Sequence, residues 1–287
     1  MPWTDPSGNP FARMTETHPI NLTRYDGKRA TPFYDELAPE EPLEIRVEGK
    51  SIAVVMRTPG CDRELAAGFL FSEGIIKSAK DIFDITTCVV PGATGKGNAV
   101  DVALVNPSAF DFSKFTRHVF TSASCGICSK SSIDSVLRRH KPLRTAITVD
   151  PDVLTSLPRR LTRRQEAFRR TGGLHACALF DLQGKFLTLR EDVGRHNALD
   201  KLIGWALLEK MMPLSAHIVL LSGRASFEMM QKAHAARIAI VAAISAPSSL
   251  AVEFARESGQ TLAGFIRGRS MNLYAGADRV AMRNGRT

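Results

Sequence analysis

The sequence predicts an α/β protein: an α/β sandwich built by the second half of the chain, preceded by a smaller α+β domain. Three features point there. From about residue 150, strand-length apolar runs alternate with stretches of helical spacing, as happens when helices are laid on a sheet. Between 43 and 56, apolar and polar residues alternate on either side of Gly49, which reads as a hairpin. A chain of 287 residues, 44% of them apolar, has the material for a core of that size.

Taken in order, residues 1–30 hold Pro2, Pro6, Gly8, Pro10, Pro19 and Gly27 among polar residues without periodicity, and are expected to be a flexible tail. The small domain, 31–145, opens with strands at 43–47 and 51–56 joined through Glu48, Gly49 and Lys50. A helix at 62–73 and a strand at 98–105 follow, and the domain ends in a loop carrying Cys125 and Cys128. The second domain, 146–287, begins with a helix at 156–170. Strands at 174–181 and 186–190, a helix at 197–210 and a strand at 217–221 come next. Then follow a helix at 226–237, a strand at 238–244, a helix at 248–257 and a strand at 262–266. There is no internal repeat and no low-complexity tract.

Composition narrows the function classes. Lys and Arg number 38 against 29 Asp and Glu, a formal charge of +9 that favours polyanionic partners. No apolar stretch approaches the roughly 20 residues that span a bilayer, so membrane insertion is not expected. Five scattered cysteines and no leader-like opening point to a reducing cytoplasm. The arginines of 157–170 line one side of a helical pattern but lack interleaved aromatics, so a solvated basic face is the better reading and no nucleic-acid partner is expected.

Four patterns could carry chemistry. Cys125 and Cys128 stand two residues apart in a small, polar run, beside Lys130 and before a helical stretch at 132–138, a setting that favours thiolate over thiol. Half a zinc site, a redox dithiol, a structural pair and sulfur transfer all remain open for that spacing. The loops 190–197 and 221–226 each leave a strand, contain an arginine and a glycine, and enter a helix, where backbone N–H groups can hold phosphate. For either loop alone, Gly194 and Gly223 as simple turns and Asn197 and Ser226 as simple caps are the commoner explanation. His196 reads more readily as a structural residue than as an acid or base. Finally, His175-Ala176-Cys177 and Pro247-Ser248-Ser249-Leu250 are a weak echo of zinc nucleobase deaminases, lacking the glutamate and both later cysteines, so that only the order of strands and helices suggests a deaminase-like sheet.

Together, Cys125-Gly126-Ile127-Cys128-Ser129-Lys130, Thr171-Gly172-Gly173-Leu174-His175-Ala176, the stretch from Glu191 to Lys201, and Ser222-Gly223-Arg224 closely resemble FdhD, the formate dehydrogenase accessory sulfurtransferase family, over about residues 40–280. The resemblance implies a cytidine-deaminase-like domain, a homodimer, and a sulfur carrier. That carrier takes sulfur from a cysteine desulfurase and gives it to the molybdenum cofactor, Mo-bis(molybdopterin guanine dinucleotide), before insertion into formate dehydrogenase. Cys125 is expected to bear the persulfide, with Cys128 assisting release or holding sulfur in turn. Ser129 departs from the family's glycine. The segment Phe265-Ile266-Arg267-Gly268-Arg269-Ser270 matches the family's cofactor-binding segment, though an acidic and then a basic residue are expected where Arg269 and Ser270 stand. Within it Arg267 and Arg269 can pair with phosphate oxygens and Phe265 can meet a guanine or pterin face. No resident metal is expected. A non-catalytic cofactor chaperone is the main alternative and a zinc deaminase a distant third.

Overall fold

The structure, a computed structural model, describes residues 17–88, 98–109 and 141–281. Cys125 and Cys128, with the loop that holds them, lie outside the described residues.

The chain is a mixed α/β protein, with three sheets among the described residues. β1 (His18–Tyr25) and β2 (Ala30–Leu37) pair antiparallel as a ribbon. β3 (Glu41–Val47), β4 (Lys50–Arg57), β5 (Ile82–Cys88) and β6 (Ala99–Leu104) form a sheet in the order β4-β3-β6-β5. β7 (His175–Asp181), β8 (Phe186–Asp192), β9 (His217–Leu221), β10 (Ile240–Ala243), β11 (Thr261–Arg267) and β12 (Ser270–Ala275) form the large sheet, ordered β12-β11-β10-β9-β7-β8. The helices among the described residues are α1 (Asp62–Ser72), α2 (Pro151–Thr162), α3 (Glu166–Thr171), α4 (Arg195–Leu208), α5 (Phe227–Ala235) and α6 (Ser249–Ser258).

The large sheet is covered on both faces, which is why its central strands are unbroken apolar runs, His-Ile-Val-Leu-Leu in β9 and Ile-Val-Ala-Ala in β10. Successive residues face opposite sides. Cys177, Leu179, Val219, Leu221, Val241 and Leu262 meet α4, α5 and α6. Ala178, Phe180, Ile218, Leu220, Ala242 and Ile266 meet Leu154, Leu157 and Leu161 of α2. Each fully buried leucine contributes about 1.5–3 kcal/mol. A third core joins the small sheet to α1 and reaches Leu207 of α4.

Helix α4 therefore lies between the large sheet and α1 and is buried on nearly every side. It meets α1 backbone to backbone. A Cβ on Gly68 would fall 1.8 Å from the carbonyl oxygen of Asp200, and one on Gly204 would fall 1.8 Å from that of Glu64. No other residue type fits either position.

Several elements differ from expectation. The stretch expected as tail contains β1 and the turn to β2. There Asp26 Oδ1 accepts from the Lys28 and Arg29 N–H groups at 2.9 Å and Gly27 takes φ 91°, so the glycine marks a hairpin rather than a tail. The single helix expected at 156–170 is two. α2 starts earlier, where Asp150 caps by accepting from Asp152 N–H at 2.8 Å and Pro151 takes the first helical position. It stops before Gln165, which turns inward and is buried beside Glu191. β5 and β12 are strands that periodicity missed. β12 pairs with β11 around Gly268, whose φ of 58° the turn requires.

Candidate functional site

Strands β9, β10 and β11 run parallel, β7 runs antiparallel to β9, and β8 antiparallel to β7. The carboxyl ends of β8, β9, β10 and β11 and the amino end of β7 consequently share one edge of the sheet, the place where ligands bind in open α/β sheets. This edge collects most of the motifs read from sequence. The His175 ring lies against Gly223, where a Cβ would sit 3.1 Å from Nδ1. Ala225 N–H donates to Ala246 O at 3.2 Å, and Phe265 N–H to Ser245 O at 3.2 Å. The result is a continuous rim running from Arg195 and His196, past His175 and Arg224, to Phe265 and Arg267.

At the β11 end, one extra residue between Gly264 and Arg267 makes a bulge against β12. The bulge holds Phe265 at φ 50°, a conformation that costs a non-glycine residue on the order of 1–2 kcal/mol, and turns its ring to the surface at 37% exposure. The Arg267 guanidinium stands 5.6 Å from that ring's centre. Arg267, Gly268, Arg269 and Ser270 are exposed, and Ser270 Oγ donates to Arg267 O at 3.0 Å across the turn. Ile266 is placed differently from its neighbours: its side chain is buried in the core beneath the sheet, so only its backbone can face a ligand.

The stretch from Glu191 to Lys201 turns inward as much as outward. Asp192 is fully buried, and its Oδ2 lies 2.7 Å from Lys201 Nζ. Asp192 also accepts from Gly194 N–H at 2.8 Å, Asn197 Nδ2 at 3.0 Å and Thr58 N–H at 3.1 Å. Lys201 donates to Thr58 O at 2.7 Å and Asn197 to Met56 O at 2.7 Å, so the network fastens the loop after β4 to the start of α4. Next to it, Lys232 binds both oxygens of Asp200 at 2.9 and 3.0 Å and the Ser72 hydroxyl at 2.8 Å. Arg57 meets Asp62 bidentately at 2.9 and 3.0 Å. These buried pairs are structural, and sequence reasoning missed them. The signal was present: Asp200 and Lys201 interrupt an otherwise apolar helical stretch, and buried charges need partners.

The two strand-to-helix loops resolve unevenly. Val193 N–H donates to Thr58 Oγ1 at 3.1 Å and Gly194 N–H to Asp192, so two backbone donors of the first loop are spent inside the protein. Neither Asn197 nor Ser226 caps its helix through its side chain, contrary to the simple capping explanation. His196 Nε2 is 2.7 Å from a Glu228 oxygen. Burial pushes the His175 pKa below its ordinary value, and the charge of Arg195 adds to the effect. Burial pushes the Glu191 carboxyl up to about 7, against a weaker opposing hydrogen bond from Phe168 N–H.

The deaminase echo leads to no metal-binding arrangement. His175 opens β7 at the rim, whereas Cys177 points into the core and burial raises its thiol far above the ordinary range. No three His, Cys, Asp or Glu side chains converge among the described residues. Cys61 is likewise held as a thiol, pushed up to about 12 by burial. Three of the six arginines of 157–170 serve the fold: Arg160 donates to Gly184 O, Arg164 lies 4.3 Å over the Phe186 ring, and Arg170 binds Glu36 at 2.6 Å. Among the described residues, no helix is long and apolar enough to cross a membrane.

The model of the FdhD/NarQ family matches residues 38–281. The sulfur carrier protein FdhD of Streptomyces coelicolor is 49% identical over 280 residues, 95% of this chain and 98% of its own length. The protein of the same name from Mycobacterium tuberculosis is 50% identical over 256 residues, 86% of this chain and 92% of its own. A solved structure from Desulfotalea psychrophila, described as a candidate formate dehydrogenase accessory protein, superposes with a TM-score of 0.73 over 92% of this chain and 99% of that one. At 24% identity that likeness speaks for the fold.

Proposed function

We infer the function from one premise: the chain belongs to the FdhD/NarQ family. The observation that carries the reading is the close match, along nearly the whole chain, to relatives named sulfur carrier protein, in a sequence that places Cys125 and Cys128 in a small, polar run. The thiols of half-buried Cys61 and buried Cys177 are held protonated, which disfavours both as nucleophiles.

In this reading the chain is a cytoplasmic homodimeric sulfurtransferase with a cytidine-deaminase-like large sheet. The Cys125 thiolate attacks the outer sulfur of a cysteine desulfurase persulfide, forms a new sulfur–sulfur bond and expels the desulfurase thiolate. The acceptor is Mo-bis(molybdopterin guanine dinucleotide), bound through Phe265, Arg267, Gly268, Arg269 and Ser270 with backbone help from Ile266, on its way to formate dehydrogenase. Attack of the Cys128 thiolate on the inner sulfur of the Cys125 persulfide releases hydrosulfide for molybdenum and leaves a Cys125–Cys128 disulfide, which a cellular dithiol then reduces. Arg267 and Arg269 suit phosphate oxygens, and the outward Phe265 ring suits the face of a planar heterocycle.

Mass spectrometry after incubation with a desulfurase and cysteine tests the first step. A gain of one sulfur in the wild type and in Cys128→Ala, and none in Cys125→Ala, is expected. A gain that survives Cys125→Ala and vanishes in Cys128→Ala reverses the two roles. Restoration of formate dehydrogenase activity in a deletion strain by the double Cys125→Ala, Cys128→Ala variant would replace the carrier with a non-catalytic cofactor chaperone.

A further inference from the structure

The amino ends of β10 and β11 form the edge of the large sheet opposite the rim, and an extended strap, residues 141–149, crosses it. The strap is the first described stretch after the cysteine-bearing run. Its residues alternate: Leu143, Thr145, Ile147 and Val149 turn inward, while Arg144, Ala146 and Thr148 are exposed. Both ends are fastened. Leu143 N–H donates to Ser258 O, at the end of α6, at 2.8 Å, and a Cβ on Gly259 would fall 2.9 Å from Leu143 O. At the other end Val149 N–H donates to Arg279 O at 2.9 Å and Ala281 N–H to Val149 O at 2.9 Å.

Arg279 runs beneath this strap. Its backbone meets Val149 while its guanidinium reaches back toward Leu143: Nη2 donates to Leu143 O at 3.3 Å and Nη1 to Thr261 Oγ1 at 3.4 Å, both long bonds. The residue is only 9% exposed, yet its Nε has no hydrogen-bond partner and, among the described residues, it forms no ion pair. Thr145, inward between the two ends that Arg279 spans, is the second orphan: its enclosed hydroxyl oxygen also lacks a partner. The other buried cations are matched, Arg57 by Asp62, Arg190 by Glu64, Lys201 by Asp192 and Lys232 by Asp200. An unbalanced buried charge costs more than a missing hydrogen bond, so a water accepting from Nε would leave the larger penalty in place.

We propose that the Arg279 guanidinium and the Thr145 hydroxyl bind a small monovalent anion, chloride in the cell, beneath the 141–149 strap. Both groups donate, and the anion accepts from both while balancing the charge. Leu143, Val149, Ser258 and Val280 around them are at most 3% exposed, an enclosure that suits a monatomic anion rather than a phosphate or an organic acid. The anion ties the strap to the body of the large sheet. Its site is separate from the 265–270 segment, because Thr261 and Arg267 are opposite ends of β11. At about 3.3 Å per residue they stand about 20 Å apart. The proposal holds whether or not the chain carries sulfur.

Thermal melts of the full chain, dialysed free of halide and then supplied with sodium chloride or with sodium gluconate at the same ionic strength, test it. Chloride at tenfold its dissociation constant is expected to raise the wild-type melting temperature by about 2–4 °C over gluconate. That difference should vanish in Arg279→Gln and shrink in Thr145→Val. Crystals grown with bromide in place of chloride should show an anomalous peak within bonding distance of Arg279 Nε. Should Arg279→Gln fail to fold, Thr145→Val and the bromide peak carry the test. Equal melting in chloride and gluconate, a chloride-specific rise that survives intact in the variants, or a water without bromide at that position overturns the site.

Discussion

Two sets of charged side chains that both draw on the stretch from Glu191 to Lys201 behave in opposite ways. In the seam between α1, α4 and the loop after β4, Asp192, Lys201, Asp200, Lys232 and Arg57 are buried and each meets an opposite charge. On the rim, Arg224, Arg267 and Arg269 are exposed and reach outward. The stretch from Glu191 to Lys201 feeds both sets: Asp192 and Lys201 go in, and Arg195 goes to the rim. A motif's residues thus divide between holding the scaffold and meeting a ligand, and only burial and partner geometry tell which is which.

The strongest way to break this division is Lys201→Ala. It strands a fully buried Asp192 carboxylate without its cation, and a loss of about 3–5 kcal/mol in unfolding free energy is expected from urea melts. Wild-type stability in that variant would mean that the seam is not structural. Gly204→Ala comes next. Its Cβ would sit 1.8 Å from Glu64 O, so the two helices must separate, at a cost of about 3 kcal/mol by the same melts. The rim should respond differently. Arg267→Ala is expected to leave melting unchanged while weakening guanosine diphosphate binding by about 1.5–3 kcal/mol, the worth of a charged hydrogen bond, as calorimetry would measure. Equal affinity in variant and wild type would remove the 265–270 segment from the site.

Glu191 sharpens the comparison with the smallest effect. It adjoins Asp192 in sequence and is buried too, but among the described residues no cation faces it, and burial raises its pKa from about 4.5 to about 7. The folded state then binds this proton more tightly than the unfolded chain, so the side chain's contribution to stability declines as pH rises from about 4.5 through 7. Glu191→Gln should flatten that decline, read as a smaller difference in melting temperature between pH 5 and pH 7.5. An unchanged difference would mean that the carboxyl is ionised without penalty in the folded protein.

Legibility in the sequence followed the same division. The large sheet was readable because β7 to β11 are apolar runs bounded by turn residues, and because helices on both faces demand that pattern. β1 and β2 were not, because a two-stranded ribbon exposed along most of its length has no buried face to impose alternation, and Pro19 and Gly27 resembled a tail. At the rim, the arginines and glycines of the motifs were visible as types. What single-sequence reading lacked was depth: Ile266 was taken with its exposed neighbours although the bulge at Phe265 turns it into the core. The inward roles of Asp192 and Lys201 depend on Thr58, more than 130 residues away, a contact that no local pattern announces.

The crossing at Gly68 and Gly204 also limits how the chain can change in length. One residue inserted or deleted within α1 between Asp62 and Gly68 would rotate the glycine roughly 100° around the helix and bring Ala67 or Phe69 to the contact instead. The same holds for α4 between Arg195 and Gly204. The helical stretches up to the crossing therefore cannot gain or lose residues, and they behave as a fixed ruler inside the chain.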